Sequence, residues 1–173
     1  ITSIIQQNDQ VLSFEDKLRI MSEYNYVLPL VDSNNLPTDV NSFKIREAIY
    51  ILYLKNVKNQ FQENPTLLNQ LEEKVIKSID HQFKEDSPNV LFMLLRILTH
   101  INITDSSLSE KISHVIKIFE KIISQLPTKK LISLYIDLHD PKFNAAEKLY
   151  NRLVQLIEDR IADMSLNEIG YLI

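Results

Sequence analysis

The residues best suited to catalysis or metal binding in this sequence are its four histidines. A helical zinc site places two histidines four residues apart, as in the His-Glu-x-x-His motif, and no pair here has that spacing. The compact polar group is Asp137, His139 and Asp140. A histidine near a helix C-terminus complements the helix dipole, and an aspartate before proline caps the next helix. We therefore interpret this group as structural.

Nucleophilic and acid–base catalysis also lack their usual residues. The chain has no cysteine and no Gly-x-Ser-x-Gly turn that would expose a serine beside an oxyanion hole. Paired carboxylates such as Glu72–Glu73 and Glu158–Asp159 are adjacent in sequence, so on a helix they project about 100° apart and do not share a site. We predict that the chain is not an enzyme and uses no cofactor, no metal and no small-molecule substrate.

The surface best suited to binding is basic. His114, Lys117 and Lys121 are spaced to lie along one exposed stripe of a helix, opposite its apolar positions. Lys129 and Lys130 follow at the start of the next helix and complete this predicted basic stripe. Such a stripe could hold a few RNA phosphates, although no aromatic side chains interleave with the lysines to stack bases. An ordinary solvated helix face has the same pattern.

Composition limits both the fold and the partners. A single glycine in 173 residues leaves almost no residue for positive-φ turns, which argues strongly against Rossmann sheets, phosphate-binding loops and hairpin-rich sandwiches. Apolar residues make up 45 % of the chain, and the most apolar run, 90–98, is too short to span a bilayer. The formal net charge of -4 suits a protein partner better than nucleic acid.

Capping residues and apolar periodicity predict seven helices, the start of an eighth, and no strand. The first helix begins at Ser13 and ends near Tyr26, and 27–41 is a loop rich in proline and asparagine. The later helices begin at Ser42, Asn64–Pro65, Ser87–Pro88, the capping box Ser107-x-x-Glu110, Pro127–Thr128, Asp140–Pro141 and Ser165. The ends expected for four of them are Gln62, Lys84, Gln125 and Ala162. The helix from Ser42 is expected to turn its apolar residues inward: Phe43, Ile45, Ala48, Ile49, Leu52 and Leu54.

The helices form an internal repeat. Helix starts, loops and apolar faces coincide when the chain is shifted by about 38 to 40 residues. Each repeat joins a short helix that is apolar nearly all round to a longer helix with one apolar stripe. A helical hairpin array needs this division, since the first helix is buried on most sides and the second covers it. We predict an all-α fold in which 42–173 is a right-handed α-α solenoid-like array of hairpins, with an irregular multi-helix bundle as the alternative.

Three segments carry a family resemblance: "SPNVLFMLLRILTHI", "LPTKKLISLYIDLHD" and "MSLNEIGYLI". The length of the repeat is similar to that of HEAT-like arrays. The cadence of these segments over 87–173 resembles the degenerate helical repeats of organellar RNA-metabolism proteins, such as the mitochondrial family containing FAST-kinase-like domains. The resemblance implies a helical-repeat fold and a role in RNA processing or translation.

The function expected from these observations is a non-enzymatic helical-repeat scaffold that binds another protein or a larger complex, without a membrane. The alternative is an organellar RNA-binding repeat protein, and a third interpretation is an accessory domain of a larger enzyme. An intracellular location is expected, in the cytoplasm or the mitochondrion. Ser165 caps a final helix barely longer than one turn that contains Gly170, so we expect 1–173 to be a single domain cut from a longer repeat protein.

Overall fold

A computed structural model describes residues 12–23, 30–32, 36–59, 64–80, 83–85, 87–100, 106–138, 147–165 and 169–170. Over these ranges the chain is helical and contains no strand, which confirms the all-α prediction. The α-helices are α1 Phe14–Glu23, α2 Ile45–Asn56, α3 Pro65–Ser78, α4 Pro88–His100, α5 Ser106–Phe119, α6 Thr128–Leu138 and α7 Glu147–Glu158. Short 3-10 segments occur at Val40–Ser42, Ile123–Gln125 and Ile161–Asp163.

The helices fall into two units, Ile1–Ser78 and Ile79–Ile173. In unit 1, α2 packs against both α1 and α3. In unit 2, α4 packs against α5 and α6, and α6 packs against α7. The predicted organisation of 42–173 as a right-handed hairpin array stays a prediction.

Most helix starts follow the predicted capping residues. The start predicted at Ser42 was wrong, because Ser42 ends a 3-10 segment and α2 begins at Ile45 after the N-cap residue Lys44. Three N-cap side chains accept a hydrogen bond from the backbone N–H three residues later, namely Ser13 from Asp16, Asn64 from Leu67 and Ser87 from Val90, at 3.1, 3.0 and 3.4 Å. The cap predicted at Ser107 was wrong, because α5 already begins at Ser106. The predicted start at Asp140–Pro141 and most of the helix after Ser165 lie outside the described residues.

Helix ends come earlier than predicted. The differences are α2 at Asn56 rather than Gln62, α3 at Ser78 rather than Lys84, α5 at Phe119 rather than Gln125, and α7 at Glu158 rather than Ala162. After α2 the backbone turns at Asn59, whose φ is 58°. Asparagine tolerates this left-handed conformation better than most residues other than glycine. In a chain with a single glycine, an asparagine takes the position that a glycine would usually occupy.

Basic side chains donate hydrogen bonds to backbone carbonyl groups at or beside the ends of helical segments. The last carbonyls of a helix have no donor within the helix, and a glycine after the helix often lets the backbone turn back to supply one. Here the donors come from 31 to 37 residues away: Lys58 to Met21, Lys74 to Val40 and Phe43, Lys111 to Ile79, and Arg160 to Ser124 and Leu126, all at 2.6–2.9 Å. We call these four side chains the basic caps.

Replacing Lys74 by methionine removes one basic cap and its two hydrogen bonds. Methionine keeps much of the apolar stem of lysine, so the change isolates the charged head. We expect the free energy of unfolding to fall by about 1–3 kcal/mol, because charge-assisted hydrogen bonds to the Val40 and Phe43 carbonyls are lost. Urea denaturation followed by circular dichroism measures this change.

Lys77→Met, on the same helix, is the matched control for Lys74→Met. The Lys77 side chain is 72 % exposed and pairs with Glu73 one turn away, so its loss should cost no more than about 0.5 kcal/mol. Equal losses in the two variants would contradict a capping role for Lys74.

Each unit contains one helix that is buried nearly all round. In α4 every residue from 90 to 95 is buried, as are Ile97 and Leu98, which confirms the prediction for "VLFMLLRIL". In α2 every residue from 47 to 54 is buried. The residues predicted to turn inward are buried except for the half-buried Ile45, but the remaining faces of α2 are buried as well, because α2 packs against both α1 and α3. Burial, aided by the negative charges of Glu23 and Glu15, raises the pKa of Tyr50 in α2.

Candidate binding groove and basic stripe

An open groove of about 500 Å³ lies at the C-terminal end of α5 in unit 2. Three of its lining residues come from the segment that precedes α4 in the chain: Phe83, Lys84 and Glu85. Ile118 in α5 and Lys121 in the turn after α5 also line it. We call these five residues the groove. Its volume lies within the range of about 300–1,000 Å³ that is typical of ligand pockets.

The end of α5 separates the groove from the core. Ile118 and Phe119 are consecutive and project about 100° apart on the helix. Phe119 is fully buried, whereas Ile118 is half-buried and lines the groove. The chain then leaves the α conformation, and the Lys121 N–H donates to the Ile118 carbonyl at 3.3 Å. This turn places Lys121 beside Ile118 at the rim.

The rim of the groove carries two exposed cations and one anchored carboxylate. Lys84 and Lys121 are exposed, and neither forms an ion pair within the part of the chain that the structure describes. Glu85 Oε1 accepts a hydrogen bond from the Ser87 N–H at 2.9 Å, which holds the carboxylate at the start of α4. The groove therefore combines two half-buried apolar side chains, Phe83 and Ile118, with two exposed lysines and one carboxylate.

The predicted basic stripe is only partly exposed. Lys117, Lys121 and Lys129 are exposed. His114 was expected on the same exposed face, but it is half-buried and its Nε2 atom is buried. The expectation for His114 was wrong because its position borders the apolar face of α5, where neighbouring side chains cover it.

Lys130, the last residue of the stripe, contacts α4. Its Nζ donates to Asn89 Oδ1 at 2.6 Å and lies 5.5 Å from the centre of the Phe92 ring. A cation over an aromatic face is attracted by the electrons of the ring. Lys130 therefore joins two helices, and Lys121 is the member of the stripe that lines the groove.

α4 and α6 run parallel and are joined by a second polar contact. Arg96 donates to Asp137 through Nε to Oδ2, and through an Nη atom to Oδ1 at 3.2 Å. This pair and the Asn89–Lys130 pair both join residues 41 apart, so the two helices must run in the same direction. The Arg96 and Asp137 side chains are 18 % and 19 % exposed. Bidentate pairing fixes orientation as well as distance.

α6 and α7 are joined by two tyrosines. The rings of Tyr135 and Tyr150 are stacked with their centres 5.0 Å apart, and the Tyr150 hydroxyl donates to the Tyr135 hydroxyl at 3.0 Å. This hydrogen bond, with a contribution from desolvation, raises the pKa of Tyr150. This contact packs α6 against α7.

Sequence reasoning missed most of the groove. It identified Lys121 but not Phe83, Lys84, Glu85 or Ile118, because no sequence signal shows that 83–85 lie near the end of α5. Asp137 was assigned to a polar group with His139 and Asp140, and those two residues lie outside the described part of the chain. Asp137 itself pairs with Arg96.

Among the residues that the structure describes, no cluster of three His, Asp or Glu side chains is arranged to hold a metal ion. None of the described helices has the length and apolar character needed to cross a membrane.

Comparison with known proteins gives no match to this chain among protein-family models, curated proteins or solved structures. The resemblance of 87–173 to HEAT-like and FAST-kinase-like helical repeats therefore stays a prediction.

Proposed function

We propose that this chain is a non-enzymatic helical scaffold that binds another protein. The observation that carries the proposal is the packing in unit 2, where α4 pairs with α5, α6 pairs with α7, and α4 runs parallel to α6. Helix pairs whose first helices stack in parallel are typical of α-α repeat proteins. Those proteins use extended surfaces, rather than a closed pocket, to bind protein segments.

The surface of unit 2 is consistent with a protein partner. The groove is open and has an apolar floor, while Ile136 and Ile161 are 51 % and 56 % exposed. Exposed apolar side chains contribute to protein interfaces when a partner covers them. The net charge of -4 disfavours long-range attraction to nucleic acid.

An organellar RNA-binding repeat protein, acting in RNA processing or translation, is the second candidate. The exposure of Lys117, Lys121 and Lys129 favours it. The inward contacts of Lys130 and the buried Nε2 of His114 weaken it, because they leave fewer cations for phosphate contacts. Each lost phosphate contact would reduce the slope of log affinity against log salt concentration by about 0.7 to 0.9.

Affinity purification of the tagged full chain, with and without ribonuclease, tests the proposal. We expect a protein partner that resists ribonuclease and that binds again when both proteins are purified. RNA binding is measured in parallel with a single-stranded oligonucleotide at low salt. If no protein is retained, and RNA binding is lost in a variant with Lys117, Lys121 and Lys129 changed to glutamate, the RNA alternative replaces the scaffold proposal.

A further inference from the structure

The groove has two properties that together define its ligand. Its apolar part consists of Phe83 and Ile118, which are half-buried and therefore still able to lose solvent contact. Burial of apolar surface is the dominant favourable term in association. The open shape admits a side chain carried by an extended segment, since the segment itself can remain outside the groove.

The charges around the groove determine which residues of the ligand can flank its apolar side chain. Lys84 and Lys121 are exposed and line the groove, and the Glu85 carboxylate is held by the Ser87 N–H. Lys117, in the last turn of α5, is also exposed, so the positive charge extends onto α5. Carboxylates of a bound segment would meet ammonium groups that form no ion pair within the described ranges.

We infer that the groove binds an acidic peptide segment of a partner protein, with one large apolar side chain between Phe83 and Ile118 and flanking carboxylates paired with Lys84 and Lys121. The inference rests on the scaffold function proposed above and names the partner segment that the scaffold recognises. RNA fits the groove less well. Base stacking uses exposed aromatic faces, whereas Phe83, the aromatic residue among the five that line the groove, is half-buried.

The test uses the full chain and a fluorescein-labelled peptide with a central phenylalanine flanked by aspartates and glutamates. Fluorescence anisotropy at low salt should give a dissociation constant below about 1 mM. Binding should weaken as salt rises, because exposed charges are screened. Replacing the phenylalanine by alanine, or the acids by their amides, should weaken binding by about tenfold in each case.

The protein variants locate the site. Lys84→Glu combined with Lys121→Glu should weaken peptide binding by about tenfold or more, because attraction becomes repulsion. The matched control is Lys129→Glu, which removes an exposed lysine outside the groove and should change affinity by less than about twofold. Circular dichroism establishes that each variant is folded, and since all three lysines are exposed, we expect native helix content.

Several results would overturn the inference. They are absence of peptide binding, equal weakening by the Lys84/Lys121 and Lys129 variants, or tighter binding of a single-stranded RNA oligonucleotide through Lys84 and Lys121. Dimer formation that the Lys84/Lys121 variant abolishes would assign the groove to a second copy of the chain instead. If the peptide fails while a purified partner still binds, the groove inference is wrong and the scaffold function stands; if neither binds, both are wrong.

Discussion

Replacing Phe119 by alanine is expected to lower the free energy of unfolding by about 3–5 kcal/mol. Phe119 is 0 % exposed and has the largest side chain among the fully buried residues that the structure describes. Its truncation loses the transfer free energy of the ring and leaves a cavity that the neighbouring helices close only in part. Because whole domains are stable by only about 5–15 kcal/mol, this single change removes a large part of the total.

The residue before Phe119 provides the control. Ile118 is half-buried and lines the groove, so Ile118→Ala should cost less than about 1.5 kcal/mol. Urea denaturation of the full chain, followed by circular dichroism, measures both variants. If Ile118→Ala costs as much as Phe119→Ala, then the division between core and groove at the end of α5 is wrong.

Removing Asp137 is expected to destabilise unit 2 by about 2–3 kcal/mol. Breaking a fully buried ion pair costs about 3–5 kcal/mol, because the remaining charge is left in a poorly solvated site. The Arg96 and Asp137 side chains are 18 % and 19 % exposed, so water recovers part of that cost and the expected loss is smaller. The measurement is the urea midpoint and slope of Asp137→Ala compared with the original chain.

A double-mutant cycle isolates the interaction between Arg96 and Asp137. Arg96→Met with Asp137→Leu should be more stable than Asp137→Ala alone, because an apolar pair replaces a lone charge. We expect a coupling energy of about 1–3 kcal/mol. The Glu73–Lys77 pair, with side chains 64 % and 72 % exposed, is the control and should give no more than about 0.5 kcal/mol. Equal coupling in the two pairs would contradict the role of Arg96–Asp137 in joining α4 to α6.

Most helix starts could be predicted from the sequence, although those at Ser42 and Ser107 were wrong, and the helix ends could not. An N-cap such as Ser13, Asn64 or Ser87 acts on a backbone N–H three residues away, so its signal is local. The earlier ends of α2 and α5 depend instead on turns after each helix, with Asn59 in the left-handed conformation after α2 and the Lys121 N–H donating to the Ile118 carbonyl after α5. With almost no glycine in the chain, the usual sequence signal for a helix end was absent.

The burial of a helix could be predicted from the sequence only where its side chains are apolar. α4 was identified as buried all round because its sequence is apolar on every face. α2 was not, because the residues expected to turn inward were only its regularly spaced apolar ones, and the charged Glu47 is not among them. Glu47 is buried while its carboxylate accepts a hydrogen bond from the Lys44 N–H at 2.7 Å, which satisfies the charge locally.

The candidate site was predictable only in its local part. The 3.6-residue period predicted Lys117 and Lys121 on one exposed helix face, and both are exposed, although α5 ends at Phe119 and Lys121 lies in the turn after it. It could not show that Lys130 bonds to Asn89, because that contact joins residues 41 apart. The approach of 83–85 to α5 is likewise a tertiary contact, which no local pattern encodes.

The basic caps also affect how the chain folds. A glycine cap acts as soon as its own helix forms, whereas Lys58, Lys74, Lys111 and Arg160 act only after segments 31 to 37 residues apart have met. Before that meeting these carbonyls lack their side-chain donors, and isolated helices of this length are marginal in water. The hydrogen bonds of the basic caps therefore form together with the tertiary packing of each unit, which contributes to cooperative folding.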